Sequence, residues 1–216
     1  MLFRSDGFIR KDFDQPHGTG YQGVAIAADE NYFYAAHDGM LRKERVNKTG
    51  QWSTGNFISL MRFDLASTNF APYSKNQFES IETYEFGPGS DEPNTQNQIS
   101  LAGMALHQGV LYISSRSAQA LIKVDPKTAK IIGKIALSQP GNVASDGAQL
   151  LAIRGAEIVS VDPNTGNLTP RITLAGMQPT ALTLDARGCV YDADGASNTV
   201  LVFNPDGDRK STRLNS

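Results

Sequence analysis

The chain has 216 residues, 40% of them hydrophobic, with 20 Lys and Arg against 22 Asp and Glu. This length allows one sizeable core or two small ones, and the 20 glycines and 10 prolines are close to ordinary usage, which excludes collagen-like and grossly disordered chains. No run of about 18 apolar residues occurs, so no membrane span is predicted. The slight acidic excess gives no electrostatic basis for binding nucleic acid. Cys189 is the single cysteine and cannot form a disulfide within the chain.

The two ends of the sequence differ in character from its middle. Met1 is not followed by a charged and then apolar leader, so no secretory signal is predicted. The last nine residues, DRKSTRLNS (208–216), match the translation of a common sequencing adapter. We therefore expect residues 208–216 not to be native, and the fold is predicted from residues 1–207.

A repeat of about forty residues is the strongest pattern in the sequence. Three copies align at about 101–137, 141–174 and 179–207, and each ends an alternating strand in Asp-Pro or Asn-Pro. Longer copies cover about 1–16 and 22–86, and we assign their extra residues to loops at 37–59 and 87–98. A repeat of this length is typical of four-stranded propeller blades.

Periodicity predicts strands and almost no helix. Apolar and polar residues alternate at 121–125 and 157–162, which places one side of each strand in a core. The Asp-Pro turns that follow favour hairpins. Because a sheet that is apolar on both faces must be covered twice, we predict an all-β fold of sheets stacked in a ring. The alternative is a linear sandwich of about fourteen strands.

Two segments carry a resemblance to known repeats. LDARGCVYDADGASNTVLVFNPDG (184–207) resembles the NHL-type propeller repeat, and SRSAQALIKVDPKTAKIIGKIAL (115–137) resembles the YVTN-type and virginiamycin B lyase-like repeats. Complete members have six or seven blades, so the resemblance implies a β-propeller fragment. We expect an open arc of about four blades, preceded at the N-terminal end by a partial blade. The last blade is expected to lack its fourth strand. The arc would belong to a larger bacterial or environmental protein. By the same analogy the parent is extracellular or periplasmic.

The resemblance also indicates where a site would lie. In such propellers the loops after the second and fourth strands surround the channel on one face, which would gather a polar set of candidate ligand-binding residues. We expect His107 on the opposite face. Trp52 could stack on a sugar or simply pin its loop. The candidates are His17, His37, Asp38, Arg42, Trp52, Arg116, Arg154, Asp194 and Asn198.

Gluconolactonase-like propellers hold a divalent cation such as calcium at the channel mouth with oxygen ligands. Asn142, Asp192 and Asp194 are weak candidates for such a site, and no Glu begins an inner strand, so no cofactor is expected. There is no G-x-S-x-G motif, and Cys189 is expected to be a buried strand residue.

Together these observations favour a module that binds a small molecule, carbohydrate or protein at the channel, beside the missing blades of its parent chain. A lactonase- or lyase-type enzyme and a structural spacer are the alternatives. Because an arc leaves its terminal faces open, we also expect residues 1–207 to self-associate.

Overall fold

The computed structural model describes residues 21–42, 54–73, 79–85 and 100–214. Within these ranges all regular structure is β-strand, arranged in four antiparallel sheets of four strands. The same ranges contain no helix that could cross a membrane. The predicted all-β class is therefore confirmed. The leading repeat at 1–16, His17, Trp52 and the segment 87–98 lie outside the described residues.

Each sheet consists of four strands that are consecutive in the chain and paired in chain order. The first sheet contains β1 (Tyr21–Ala28), β2 (Tyr32–Arg42), β3 (Thr54–Asp64) and β4 (Glu79–Glu85). The second contains β5 (Leu101–His107), β6 (Val110–Ser115), β7 (Ala120–Val124) and β8 (Ile131–Ala136). The third contains β9 (Pro140–Ser145), β10 (Leu150–Arg154), β11 (Glu157–Val161) and β12 (Leu168–Thr173). The fourth contains β13 (Pro179–Leu184), β14 (Val190–Asp194), β15 (Thr199–Phe203) and β16 (Arg209–Leu214).

The sheets pack broadside around a common axis, with the first strand of each sheet innermost. Strand β5 contacts both β1 and β9, and β9 also contacts β13. One hydrophobic cluster fills each interface, so the first sheet packs on the second, the second on the third and the third on the fourth. This is the blade arrangement of a β-propeller, as the repeat predicted.

Strand alternation gives the sheets two largely apolar faces. We term the face that turns towards the next sheet in chain order the trailing face, and the opposite one the leading face. In β2, Tyr34 and Ala36 lie on the trailing face and pack against Ile113 of the second sheet. Ala35 points the other way and packs with Phe63 on the leading face. Two faces apolar in this way explain why the sheets stack rather than leaving one side in water.

The turn after the third strand holds a carboxylate in each of the first three sheets. In the second sheet Asp125 accepts a hydrogen bond from the Lys127 N–H at 2.9 Å and another from the Thr128 hydroxyl at 2.7 Å. Asp162 repeats both bonds in the third sheet, with Asn164 and Thr165. These local bonds fix the Asp-Pro turns that the sequence predicted.

The same turns also connect neighbouring sheets. A cationic side chain of one sheet donates a hydrogen bond to a backbone carbonyl in the turn of the next sheet, which satisfies a carbonyl that no strand partner can reach. The three pairs are Arg62 to Lys127 at 3.3 Å, Lys123 to Pro163 at 2.8 Å and Arg171 to Pro205 at 2.5 Å.

Two expectations about the elements are wrong. The loop predicted at 37–59 is strand at both of its ends, because β2 and β3 remain paired as far as Arg42 and Thr54, and residues 43–53 between them lie outside the described residues. The last sheet does have a fourth strand, since β16 pairs along β15 from Phe203 to Thr199. In both cases the strands are held by backbone hydrogen bonds, which do not require a hydrophobic pattern. A prediction based on hydrophobic alternation therefore does not detect these strands. That residues 208–216 are not native remains a prediction.

Candidate functional site

The four innermost strands enclose a cavity of about 510 Å³ on the axis of the molecule. All four sheets contribute to its wall, so the cavity is the central channel rather than a cleft of one blade. The lining residues are 25–28, 101–106, 142–145, 182 and 183.

Most of the described side chains that line the channel are apolar, but more polar than apolar surface faces the cavity. Among the described lining residues, Asn142, Ser145 and Thr183 have polar side chains, and the remainder are Gly, Ala, Val, Leu, Ile and Met. Ile26 is 61% exposed and is among the lining residues, which is unusual for a strand isoleucine. A concave wall that offers polar groups as well as apolar side chains can hold a small molecule.

One polar residue per sheet occupies the same position at one end of the channel. The four repeats can be aligned at one pair of facing residues on the second and third strands of each sheet: Tyr34 with Arg62, Tyr112 with Lys123, Leu151 with Ser160 and Tyr191 with Val202. Three residues after this aligned position on each second strand lie His37, Ser115, Arg154 and Asp194. The last three pair with Leu101, Pro140 and Pro179 at the beginning of the first strands. We term this end of the channel the mouth.

His37 is buried at the mouth, with 2% of its surface exposed. Burial lowers the pKa of His37 to about 4, so its imidazole is neutral near pH 7. Asp38 and Arg42 follow on the same strand, paired with Ile58 and Thr54. The structure gives only the backbone of Asp38 and Arg42.

Two arginines predicted for the site lie at the mouth in different surroundings. Arg116 is exposed in the turn after β6, and its Nη1 lies 3.3 Å from the carbonyl of Leu101 at the start of an inner strand. Arg154 is half-buried and donates from both Nε and Nη2 to Glu157, at 3.2 and 2.7 Å. The positive charge of Arg154 is therefore offset by an adjacent carboxylate.

Asp194 organises the mouth end of the fourth sheet. Its Oδ1 accepts hydrogen bonds from the N–H groups of Gln178 at 2.7 Å and Ala196 at 3.2 Å, and its Oδ2 accepts one from the Ser197 hydroxyl. The bond from Ser197, followed by that from Gln178, lowers the pKa of Asp194. Asn198 lies in the same turn, exposed and with φ of 52°. Asp194 thus joins the turn to the start of β13.

Asp192 is the anomaly of the fourth sheet. It points from the leading face towards the third sheet with none of its surface exposed, and neither carboxylate oxygen has a hydrogen-bond partner among the described residues. Burial, with a smaller effect from the charge of Asp194, raises the pKa of Asp192 to about 7. The equivalent positions of the other sheets hold Ala35, Ile113 and Ala152. The sequence offered Asp192 only as a weak cation ligand, although the repeat alignment already shows a carboxylate at an apolar position.

The candidate cation ligands do not converge. Asn142 lies against Gly103 of the second sheet, where a Cβ built on the glycine would be 3.1 Å from Asn142 Cγ. Asp192 lies on the other side of the third sheet, in the interface with the fourth. Within the described ranges no cluster of three or more His, Cys, Asp or Glu residues could hold a metal ion.

Two further residues lie close to where the sequence placed them. His107 is at the end of the channel opposite the mouth, buried, with its Nδ1 2.8 Å from the Ser145 hydroxyl of the third sheet. Cys189 is 7% exposed, so it is buried as expected, but it lies immediately before β14 rather than in the strand. Both side chains contribute to packing away from the mouth.

A scan against family models finds no match, and neither does a search of the curated proteins. Among solved structures, a catalytically inactive virginiamycin B lyase from Staphylococcus aureus with quinupristin is similar with a TM-score of 0.51 and 11% identity, over 93% of this chain and 72% of that one. Regucalcin from Agrobacterium tumefaciens, a calcium-binding protein, is similar with a TM-score of 0.50 and 14% identity, over 90% of this chain and 74% of that one. The fold is a β-propeller.

A chain of the nidogen/laminin complex is similar to the same extent, with a TM-score of 0.50 and 13% identity over 89% of this chain. Proteins as different as a lyase, a calcium-binding protein and a chain of the nidogen/laminin complex thus share the arrangement. At identities this low the likeness concerns the fold alone, because propellers support many unrelated sites.

Proposed function

We propose that this propeller is a binding module that takes a small molecule into its central channel. The observation that carries the proposal is the cavity of about 510 Å³ lined by all four innermost strands. Sites for small molecules usually measure about 300 to 1,000 Å³, so the cavity has the volume of such a site.

The side chains suggest how such a ligand would be oriented. Its apolar part would displace water from lining residues that are exposed or half-buried, namely Ile26, Ala28 and Leu106, at about 25 cal/mol for each Å² of apolar surface removed from water. The Asn142 amide in the wall can donate and accept hydrogen bonds.

The other candidate ligands are less well supported by the same residues. Carbohydrate sites use aromatic side chains as stacking platforms, and the channel lining contains none. The enzyme alternative required a cation or histidines at the mouth, but Asn142 and Asp192 lie on opposite sides of the third sheet and His37 is buried. We therefore propose binding rather than catalysis.

The test charges the channel at Ile26, whose exposed side chain tolerates substitution with little loss of stability. The variant is Ile26→Glu, and the probe is 8-anilinonaphthalene-1-sulfonate, an apolar anion whose fluorescence rises in apolar sites. A new carboxylate in the channel repels the sulfonate and adds an ionic group that must be desolvated. We expect the dissociation constant of the probe to rise about tenfold, which corresponds to about 1.4 kcal/mol.

The matched control is Ile132→Glu, because Ile132 is a similarly exposed strand isoleucine, at 55%, outside the cavity lining. This variant should bind the probe as the unmodified chain does. Equal weakening in both variants, or none in either, would show that the probe does not occupy the channel and would contradict the proposal.

A further inference from the structure

The channel end opposite the mouth holds a serine and a histidine in direct contact. Ser145 is the last residue of β9 and His107 the last of β5, and the Ser145 Oγ lies 2.8 Å from His107 Nδ1 across the interface of the second and third sheets. Ser145 is half-buried and belongs to the cavity lining, whereas His107 is 2% exposed. A hydroxyl of the channel wall is thus hydrogen-bonded to a buried imidazole.

The fold does not require polar residues at this place. The innermost strands of the first and fourth sheets end in Ala28 and Leu184, and both form the same strand pairing as their equivalents. Burying an imidazole and a hydroxyl is less favourable than burying such apolar side chains. The pair therefore calls for an explanation beyond the pairing of strands.

The hydrogen bonds around Ser145 indicate where its hydroxyl hydrogen lies. The hydroxyl oxygen accepts a hydrogen bond from the Gly147 N–H at 3.0 Å. A serine hydroxyl has one hydrogen to donate, and among the described residues no acceptor other than His107 Nδ1 lies within reach of it. This arrangement favours the neutral tautomer of His107 that carries its hydrogen on Nε2, because Nδ1 then accepts the serine hydrogen.

The surroundings of His107 keep its imidazole neutral near pH 7. Burial lowers the pKa of His107 below its ordinary value of 6.5, and the charge of Asp146 in the following turn has a smaller, opposite effect. Tyr112 lies against the imidazole with 6.2 Å between ring centroids, and burial raises the pKa of its phenol, so it is uncharged. A neutral imidazole that accepts a hydrogen bond from a hydroxyl has the position of a general base beside a nucleophile.

We propose that Ser145 is a nucleophile that takes the acyl group of an uncharged ester in the channel, with His107 as its general base. In this step a bond forms between Ser145 Oγ and the carbonyl carbon, and the bond from that carbon to the alcohol oxygen breaks. The hydroxyl proton passes to His107 Nδ1 and from there to the departing alcohol. The step balances with the ester alone and uses no residue of the mouth.

The channel around Ser145 suits an uncharged ester. Among the described lining residues the polar side chains are those of Asn142, Ser145 and Thr183, and all three are neutral. Strands β5 and β9 each pair with one neighbour, so alternate N–H groups on their free edges face the channel. Backbone N–H groups are donors that stabilise the negative oxygen formed when a hydroxyl attacks a carbonyl. The bond from Gly147 also favours the negative form of the Ser145 oxygen.

The test treats the full chain with phenylmethylsulfonyl fluoride, an uncharged reagent that sulfonylates activated serines with loss of fluoride. Peptide mass spectrometry locates the sulfonyl group. We expect it on Ser145, and we expect Ser145→Ala to lose it. The matched control is Ser160→Ala, because Ser160 is a half-buried serine of the same sheet outside the cavity lining. This control should be labelled at the rate of the unmodified chain.

A second variant, His107→Gln, removes the base and keeps a polar side chain. We expect it to lower the rate of labelling about 100-fold or more. Because a substitution at a buried site can disturb the fold, the pH profile of the unmodified chain provides an independent measurement. The rate should rise with pH until His107 is neutral, with a midpoint below 6.5, and should then level off.

Failure of the reagent to label Ser145 at any pH would overturn the proposal. So would a folded His107→Gln variant that is labelled at the unmodified rate, or a rate that continues to rise with hydroxide concentration above neutral pH. The readout is a covalent change in mass, so labelling can fail while the channel still binds the fluorescent probe, and the two proposals are tested separately.

Discussion

Replacing Asp192 with alanine should stabilise the protein at and above neutral pH. The residue is fully buried without a hydrogen-bond partner among the described residues, and the equivalent position of the first and third sheets is an alanine. Burial raises its pKa from the ordinary value of 3.8 to about 7. Since each pKa unit is worth about 1.4 kcal/mol, the ionised carboxylate costs the folded state about 4 kcal/mol above pH 7.

The pH dependence has a definite sign. Between about pH 4 and pH 7 the folded state binds more protons at Asp192 than the unfolded state does, so the free energy of unfolding falls as the pH rises through this window. Above pH 7 the loss is complete, and below pH 4 Asp192 is protonated in both states. The advantage of Asp192→Ala over the unmodified chain should therefore be about 1 to 3 kcal/mol at pH 4, where the protonated carboxyl is still a buried polar group without a partner, and should grow by up to about 4 kcal/mol by pH 8.

Urea denaturation followed by circular dichroism at pH 4, 6 and 8 measures this difference. Asp192→Asn is the matched control, because it removes the titration but keeps a polar group without a partner. The asparagine variant should lose the pH dependence and remain about 1 to 3 kcal/mol less stable than the alanine variant. A constant difference between Asp192→Ala and the unmodified chain across the three pH values would refute the reasoning, since a buried ionising carboxylate cannot give it.

Four further outcomes are expected. Lys123→Met should lower the free energy of unfolding by about 1 kcal/mol in urea denaturation, because the carbonyl of the next turn loses its donor. Gly141→Ala should lower the free energy of unfolding by about 1 to 3 kcal/mol in the same assay, because the new Cβ would lie 2.6 Å from Ile153 Cγ2. Gly133→Ala should lower it much less, because the nearest atom to its new Cβ would be 3.5 Å away. Because burial lowers the pKa of His37 to about 4, its contribution to the free energy of unfolding should be fully present above pH 6.5 and be lost as the pH falls towards 4. His37→Gln should abolish this pH dependence of the free energy of unfolding. Adding calcium or a chelator should leave the Tm unchanged, and a clear rise with calcium would show that a cation site exists.

Much of the fold could be predicted because it depends on local patterns. The structure has strands and turns where the sequence predicts them, at the alternating segments 121–125 and 157–162 and at the Asp-Pro turns. Alternation and turn chemistry each act within one hairpin, and the forty-residue period repeats them from sheet to sheet. Strand pairing that requires no pattern was missed. The extension of β2 to Arg42 and the strand β16 depend on backbone groups, which every sequence supplies equally.

The candidate site was less predictable because it depends on which faces of which sheets meet. Sequence reasoning proposed Arg116, Arg154 and Asp194 for the mouth, and all three lie at that end of the channel, but it could not show that Glu157 offsets the charge of Arg154. It also grouped Asn142 with Asp192 as possible cation ligands. A strand side chain points to one of two faces, and only the stacking of sheets shows that these two residues lie in different interfaces.

The sequence by itself determined the repeat, the strands within each repeat and the need to cover both faces of every sheet, because alternation and turn chemistry act over a few neighbouring residues. Only the tertiary structure decided the environment of each side chain. The channel shared by four sheets, the isolation of Asp192 and the contact between His107 and Ser145 arise where residues from different repeats meet, and the free energy of burying a group is set by those distant neighbours rather than by its own stretch of chain.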